Sequence, residues 1–516
     1  MRSSVLSRYV MRGNRRLLTS VTAVIAPIRP KSLSMRPPYK TRGMGTKKRQ
    51  GFSVDRSGLI GGEHSEVYKI DEGGEDQNDV EMFPNSEHKE PLTELAKDLA
   101  AVIGVKGPIS LHEYLGQCSN HIMYGYYQTD KEKIGRGGDF TTAPEVSQLF
   151  GEMVGTWCVS HWMALGEPKK INIIELGPGK GTLMKDILTV AGKFPKFEKA
   201  ISAHMVELSE AMRDVQRETL ECSLTSLPPP VEPSPLSSNP NAFDAQEVLE
   251  RHRKVEEAVM RERRSGLTPR GTPVNWYYTF NQLPENSDTP CLVVAQEFLD
   301  VFPVHQFVYK DGLWLEKLVD VDKTAGNPLH FRMVLSQAPT PASITLMGKG
   351  EGHQFSEGDG VEVSPVALAT CEEIAARVCK AGGAALLVDY GANATSSDSL
   401  RGFKDHETAN ILSLPGLVDT TADVDFDACG RVAARRGAKV VGAITQAEFL
   451  IKMGVVERAE QLISLDSTTE EEQASLVSSL SFLVDEHKMG ERFKVMTILD
   501  PKTAPATSTI GFPSSL

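Results

Sequence analysis

Apolar positions repeat along this chain with two different periods. From Pro91, TELAKDLAAVI carries its apolar residues at helical spacing, and Ser110 with Glu113 ahead of Tyr114 and Leu115 has the form of a capping box opening a second helix. A Gly- and Tyr-rich loop follows, YGYYQTDKEKIGRGG. From Pro144 the residues Val146, Leu149, Phe150, Met153, Val154 and Trp157 mark one face of a long amphipathic helix that ends at Gly166 and Pro168. At Lys169 the period changes. INIIEL is a short unbroken apolar run, as a strand buried on both faces requires; GPGKGT is a turn, LMKDILTVA a helix, ISAHMVEL a second strand and SEAMRDVQRETLEC a second helix. TPCLVVAQEFLDVFPV and GGAALLVDYGA repeat the buried-strand pattern, with a helix near Ala367 to Lys380 between them, and HQFVYKDGLWLEKLVDV alternates around Asp311-Gly312 as a hairpin does. Strands alternating with helices predict an α/β fold: a mostly parallel sheet with helices on both faces.

The same pattern divides the chain. Residues 91–168 read as an N-terminal helical extension and 169–500 as the core, with insertions at 227–271 and 303–360. The first insertion is Pro- and Ser-rich and then highly charged, a composition that buries little and reads as disordered. The second holds the hairpin. Residues 51–90, with DEGGEDQNDVE, read as an acidic linker, and 501–516 as a disordered tail.

Charge adds an address. Of 56 Lys and Arg, 13 fall in the first 54 residues, which contain no Asp or Glu, although the whole chain is at −12. Residues 1–50 therefore have the composition of a mitochondrial presequence; the competing reading is a disordered basic tail that binds anions. The rest of the chain is acidic and shows no basic stripe, which argues against nucleic acid as a partner. No apolar run reaches the roughly 18 to 20 residues of a membrane span. Seven scattered cysteines without a Cys-x-x-Cys argue against a disulfide framework and a zinc site, and suit a reducing compartment such as the mitochondrial matrix. No motif specifies an oligomeric state.

The chemistry centres on IIELGPGKGT, which sets Glu175 at a strand end and Gly177, Gly179 and Gly181 before Thr182 and a helix. A phosphate-gripping P-loop needs Gly-Lys-Ser/Thr, and here Gly181 separates Lys180 from Thr182. A dinucleotide site needs G-x-G-x-x-G, and this loop runs G-x-G-x-G. The remaining reading is the strand, acid and G-x-G-x-G of class I methyltransferases, in which S-adenosylmethionine crosses the glycine turn on main chain that a Cβ would hold away. Glu207, at the end of the next strand, then stands where an acid accepts ribose hydroxyls; otherwise it is a solvent-exposed strand end.

At GRGGDFTTAPEVSQLFGEMVG, ELGPGKGTLMKDIL, AQEFLDVFPVHQF, LLVDYGA and RGFKDH with LPGLVDTTADVDF, the sequence resembles the MidA-like mitochondrial methyltransferases, over roughly Leu95 to Leu499. The resemblance implies a class I (Rossmann-like) methyltransferase core that uses S-adenosylmethionine to dimethylate an arginine of a respiratory complex I core subunit in the matrix, in support of complex I assembly. One departure stands in the strand-end motif, where the family has Asn-Glu-Phe-x-Asp and this chain has Gln296-Glu297-Phe298-Leu299-Asp300.

Arginine is a difficult methyl acceptor, because its guanidinium keeps its charge up to a pKa above about 12. A carboxylate pairing with it orients the plane and localises the charge. Glu297 is the first candidate and Asp300 the second; helix capping or an internal salt bridge is the alternative for both. Asp139, Thr141 and Thr142, with Glu145 beside them, either fold over the cofactor or, for the threonines, cap the helix at Pro144. His305 is either a proton acceptor or a packed core group. Two other functions remain open on the residues: a small-molecule methyltransferase, and a cofactor-binding assembly chaperone without catalysis.

Overall fold

The apolar run INIIEL is unbroken because the strand it forms, β1 (Ile171–Leu176), lies inside a sheet covered on both faces. The computed structural model describes residues 90–128, 141–226, 264–284, 289–324, 327–347, 355–465 and 467–514. The basic leader, nearly all of the acidic linker, Asp139 and residues 227–263 of the insertion lie outside the described residues.

The main sheet contains, in chain order, β1, β2 (Ile201–Val206), β3 (Ser223–Ser226), β4 (Arg264–Leu267), β5 (Pro273–Tyr277), β6 (Cys291–Gln296), β7 (Gly383–Ala392), β8 (Lys439–Thr445) and β9 (Phe493–Leu499). Their spatial order is β8-β9-β7-β6-β1-β2-β5-β4-β3. The five central strands β5-β2-β1-β6-β7 are parallel, and the flanking pairs on either side are antiparallel. The chain winds outward from β1 to β2 and β5 and then crosses back to β6. This reversal places a crevice at the carboxyl ends of β1 and β6, where such sheets bind ligands.

Alternation along β7 shows how the two faces are shared. Ala384, Leu386, Val388 and Tyr390 join one apolar cluster, with the helices α3 (Gln148–Ala164) and α4 (Thr182–Ala191); Ala385 and Leu387 join the other, with Pro365–Ala381 and Phe426–Arg435. The helix expected from Pro144 is broken. A single turn, Ala143–Val146, stops at extended Ser147, whose hydroxyl then caps α3 by accepting from Leu149 N at 3.2 Å. Nor is α3 amphipathic, since every residue from Leu149 to Val159 is buried, between the sheet and the helices Gln446–Met453 and Val455–Ile463. Within that contact Arg458 Nε and Nη2 reach Glu152 Oε2 and Oε1 at 2.7 and 3.1 Å, with both side chains buried. An Arg458→Met variant, which strands a buried carboxylate, is expected to lose about 3–5 kcal/mol; a urea midpoint equal to the parent's would refute that.

The extension is not one unit. Its helices α1 (Glu94–Lys106) and α2 (Leu111–Asn120) build a separate apolar cluster with a second sheet, formed by Ile109–Ser110, His305–Lys310, Leu313–Val321, Phe331–Leu335 and Gly360–Val363. The extension thus meets the 303–360 insertion, because strand Leu313–Val321 pairs with Ile109–Ser110. Two further expectations change. The insertion rejoins the sheet at Arg264, where β4 pairs with β5, so its last residues are part of the core. The tail is ordered through residue 514: Phe512 is buried against Phe449, completing a hydrophobic contact that a short run of small and polar residues does not advertise. Among the described residues no helix is long and apolar enough to cross a membrane.

Candidate active site

Gly177, Gly179 and Gly181 all have positive φ, at 60, 52 and 81°. These are backbone angles at which a Cβ is strained. The glycine at 177 has a second reason: a Cβ there would stand 2.7 Å from Phe298 Cδ2, so this turn packs against the loop that follows β6. Gly181 precedes α4, whose first residue, Thr182, donates its hydroxyl to Glu145 Oε1.

Glu175, in β1, is 2% exposed. It accepts a hydrogen bond from the Met184 backbone, but its Oε2 is buried with no hydrogen-bond partner among the described residues. Burial, and then the neighbouring Asp186 charge, push its pKa well above the usual carboxylate range. An acid in that condition calls for a cationic or N–H donor beside it, and the ammonium of a bound amino-acid moiety is such a group. Glu207, at the end of β2, is held rather than left in solvent. Its Oε1 accepts from Ser209 N at 2.8 Å and its Oε2 from Gln216 Nε2 at 3.1 Å. The same Gln216 nitrogen donates to Gly179 O at 2.8 Å, and Trp276 Nε1 fixes Gln216 from the other side at 3.1 Å. Arg213 grips the Glu207 carbonyl at 2.9 and 2.7 Å and lies 3.3 Å above the Tyr278 ring. Burial raises the pKa of Glu207, opposed by the Ser209 hydrogen bond and the Arg213 charge. Each carboxylate oxygen has two lone pairs, so Glu207 keeps the capacity to take sugar hydroxyls as well. The residues present therefore fit a nucleoside carrying an amino acid.

The second half of the site is the turn after β6. Glu297 has φ 48°, rare for a residue with a side chain, and its N–H donates to Val388 O at 2.8 Å. Its Oε1 accepts from Ala143 N at 3.1 Å and from Gln296 Nε2 at 2.7 Å. The turn is fastened from β7. Asp389 Oδ2 accepts from the backbone N–H groups of Phe298, Leu299 and Asp300 at 3.1, 2.9 and 3.3 Å, and its Oδ1 from Tyr390 N at 2.9 Å. Asp300 Oδ2 accepts from Tyr390 Oη at 2.7 Å and Thr421 Oγ1 at 2.6 Å. Burial, then the Asp300 and Glu297 carboxylates, raise the pKa of Asp389 well above its ordinary value, while the N–H groups oppose the shift. An Asp389→Ala variant would leave several buried N–H groups without an acceptor, each worth roughly 1–3 kcal/mol. We expect a loss of at least about 3 kcal/mol in chemical unfolding, and an unchanged midpoint would contradict it.

The remaining candidates divide. Thr142 is at the cap position of the turn Ala143–Val146, yet its side chain makes no capping bond. That turn instead bridges the two halves of the site, through Ala143 to Glu297 and Glu145 to Thr182, with Thr141 and Thr142 leading into it. His305 goes elsewhere. It opens a strand of the second sheet, with Nδ1 2.6 Å from the buried Glu316 Oε1 and its ring stacked on His112 at 4.5 Å, and none of these contacts reaches the glycine loop. Sequence reasoning missed Asp389, Tyr390, Thr421 and Gln216. The first two stand in LLVDYGA, where an acid breaking an apolar strand near its end was the available signal; for Gln216, on a polar helix, there was none.

A parallel sheet with a glycine turn after its central strand and acids at the neighbouring strand ends defines a nucleotide-type cofactor site at the crevice. Residues 153–444 match the family described as "Putative S-adenosyl-L-methionine-dependent methyltransferase", and the chain belongs to that family. S-adenosylmethionine is accordingly its cofactor and methyl transfer its reaction. The zebrafish (Danio rerio) protein arginine methyltransferase NDUFAF7, mitochondrial, is 37% identical over 410 residues, covering 79% of this chain and 87% of the relative. The human (Homo sapiens) protein of the same name is 34% identical over 417 residues, covering 80% and 85%. A Burkholderia thailandensis "likely methyl transferase", solved with S-adenosyl-homocysteine bound, superposes with a TM-score of 0.59 at 25% identity, covering 78% of this chain and 91% of that one.

Proposed function

We propose that this chain is a protein-arginine N-methyltransferase with a class I, Rossmann-like core, that it works in the mitochondrial matrix, and that it dimethylates an arginine of a complex I core subunit during complex I assembly. The observation that carries the reading is the Glu297 turn, an acid held in left-handed backbone and packed through Phe298 against the cofactor's glycine loop. Relatives named as mitochondrial arginine methyltransferases and the acid-free basic leader support the substrate class and the compartment.

Glu175, the Gly177 to Gly181 turn and Glu207 would hold the cofactor, with Thr141 and Thr142 leading into the turn that covers it and Thr182, at the start of α4, bonded to Glu145 of that turn. S-adenosylmethionine would supply the methyl of its sulfonium: a nitrogen of the substrate would attack that carbon in line, the carbon–sulfur bond would break with the sulfur leaving as a neutral thioether, and the nitrogen would shed a proton, so the protein's task is alignment and exclusion of water. Glu297 orients the target guanidinium. Ala143 N and Gln296 Nε2 both donate to its Oε1, and these two donors fix the plane in which it meets the substrate. Asp300, anchored by Tyr390 and Thr421, adds a second negative charge to the same strand end. The acids gathered there favour a cationic donor and a cationic acceptor together. His305 has no part in this reading, since its Nδ1 is committed to Glu316.

Mass spectrometry of complex I subunits from cells lacking the protein tests the proposal. Loss of one arginine dimethylation, restored by the wild-type chain and not by Glu297→Gln, is expected. Unchanged methylation with failed assembly would replace enzyme by non-catalytic chaperone.

A further inference from the structure

Gln296 is the last residue of β6 and is 7% exposed. Its Nε2 donates to Glu297 Oε1 at 2.7 Å. A carboxylate has no proton to offer in return, so this bond settles which end of the amide faces which way: nitrogen toward Glu297, oxygen away from it. That oxygen, Oε1, is buried and has no hydrogen-bond partner among the described residues. Native proteins rarely leave a buried amide oxygen without a donor, and such an orphan calls for a group that arrives with the ligand or its water.

Its surroundings specify the donor. Gln296 is joined to the carboxylate that orients the guanidinium, at the carboxyl end of a central strand, and Ala295 beside it pairs with Leu176 just ahead of the glycine turn. A guanidinium presents five N–H groups in one rigid plane, which lets a single group meet a carboxylate oxygen and an amide oxygen side by side. We propose that Gln296 is a substrate-contacting specificity residue whose Oε1 accepts an N–H of the target arginine beside Glu297. The inference rests on the arginine reading above. It also gives a role to the position where the strand-end motif departs from Asn: the longer side chain carries its amide oxygen one methylene further out while its nitrogen keeps hold of Glu297.

The test uses the full chain, labelled S-adenosylmethionine and mitochondrial protein from cells lacking the enzyme as acceptor. Gln296→Met, of similar shape but without the acceptor, is expected to slow methyl incorporation at limiting acceptor by roughly 10- to 100-fold, with a smaller loss at saturating acceptor. Gln296→Asn, which keeps an amide, should fall between. S-adenosyl-homocysteine affinity should stay within about twofold of the parent, and the melting temperature of Gln296→Met should change little, because loss of the donor to Glu297 Oε1 is offset by removal of an unsatisfied buried oxygen. Wild-type rates in Gln296→Met would overturn the inference, and so would weakened S-adenosyl-homocysteine binding, which would assign the oxygen to the cofactor. Glu297→Gln made alongside separates the two claims. Its full activity removes the Glu297 role, whereas a slow Glu297→Gln in which adding Gln296→Met costs nothing more over long incubation would reduce Gln296 to a prop for Glu297.

Discussion

Glu297→Gln is expected to bind S-adenosyl-homocysteine as the parent does and to transfer methyl groups at least about 100-fold more slowly. Two donors, Ala143 N and Gln296 Nε2, point at Glu297 Oε1, so a substituted amide must set its own oxygen there. Its NH2 then takes the position of the other carboxylate oxygen and opposes the N–H groups of an arriving guanidinium. The change removes a charge and turns an acceptor into a donor, at nearly constant volume. Cofactor affinity is spared because Glu175 and Glu207, which would hold it, lie on other strands. Calorimetry for binding and labelled transfer for turnover read the two effects separately, and full turnover in this variant would take Glu297 out of the mechanism.

Gly177→Val is expected to fail at the earlier step. At φ 60° a β-branched residue costs roughly 1–2 kcal/mol in backbone strain. Its Cβ would also stand 2.7 Å from Phe298, and relieving such overpacking costs roughly 1–3 kcal/mol more. Because Phe298 follows Glu297 directly, the displacement reaches both the cofactor turn and the acid. S-adenosyl-homocysteine affinity should drop at least about tenfold and the melting temperature should fall. Gly177→Ala, with the same clash but no branching, is the milder form in which binding can be measured if the valine variant does not fold. Undiminished binding by a folded variant would mean that the loop is not a cofactor loop.

The parallel core was legible from residues because a strand buried on both faces writes an unbroken apolar run: INIIEL became one strand, and TPCLVVAQEFLDVFPV and GGAALLVDYGA each contain one, at Cys291–Gln296 and Gly383–Ala392. The glycine turn was equally visible, since positive φ at three alternate positions leaves few other choices of residue. Contacts made at long range were not visible. The pairing of Ile109–Ser110 with Leu313–Val321, which moves α1 and α2 away from the core, has no local signature, and neither does the covering of α3 on a second side. Asp389 illustrates the limit at the site. Its sequence position announces an acid near a strand end, but its task, collecting three amides from a loop 89 to 91 residues earlier, exists only once β6 and β7 lie side by side.

The antiparallel strand β9 enters the sheet between β7 and β8 although it is the last strand of that sheet to be made. A polypeptide delivered amino end first, from a ribosome or through an import pore, must therefore hold an open slot until Leu499 has emerged, and β8 has no neighbour to bond before then. Such late closure predicts slow maturation with apolar edges briefly bare, a period in which chaperones of the receiving compartment would decide how much enzyme is obtained.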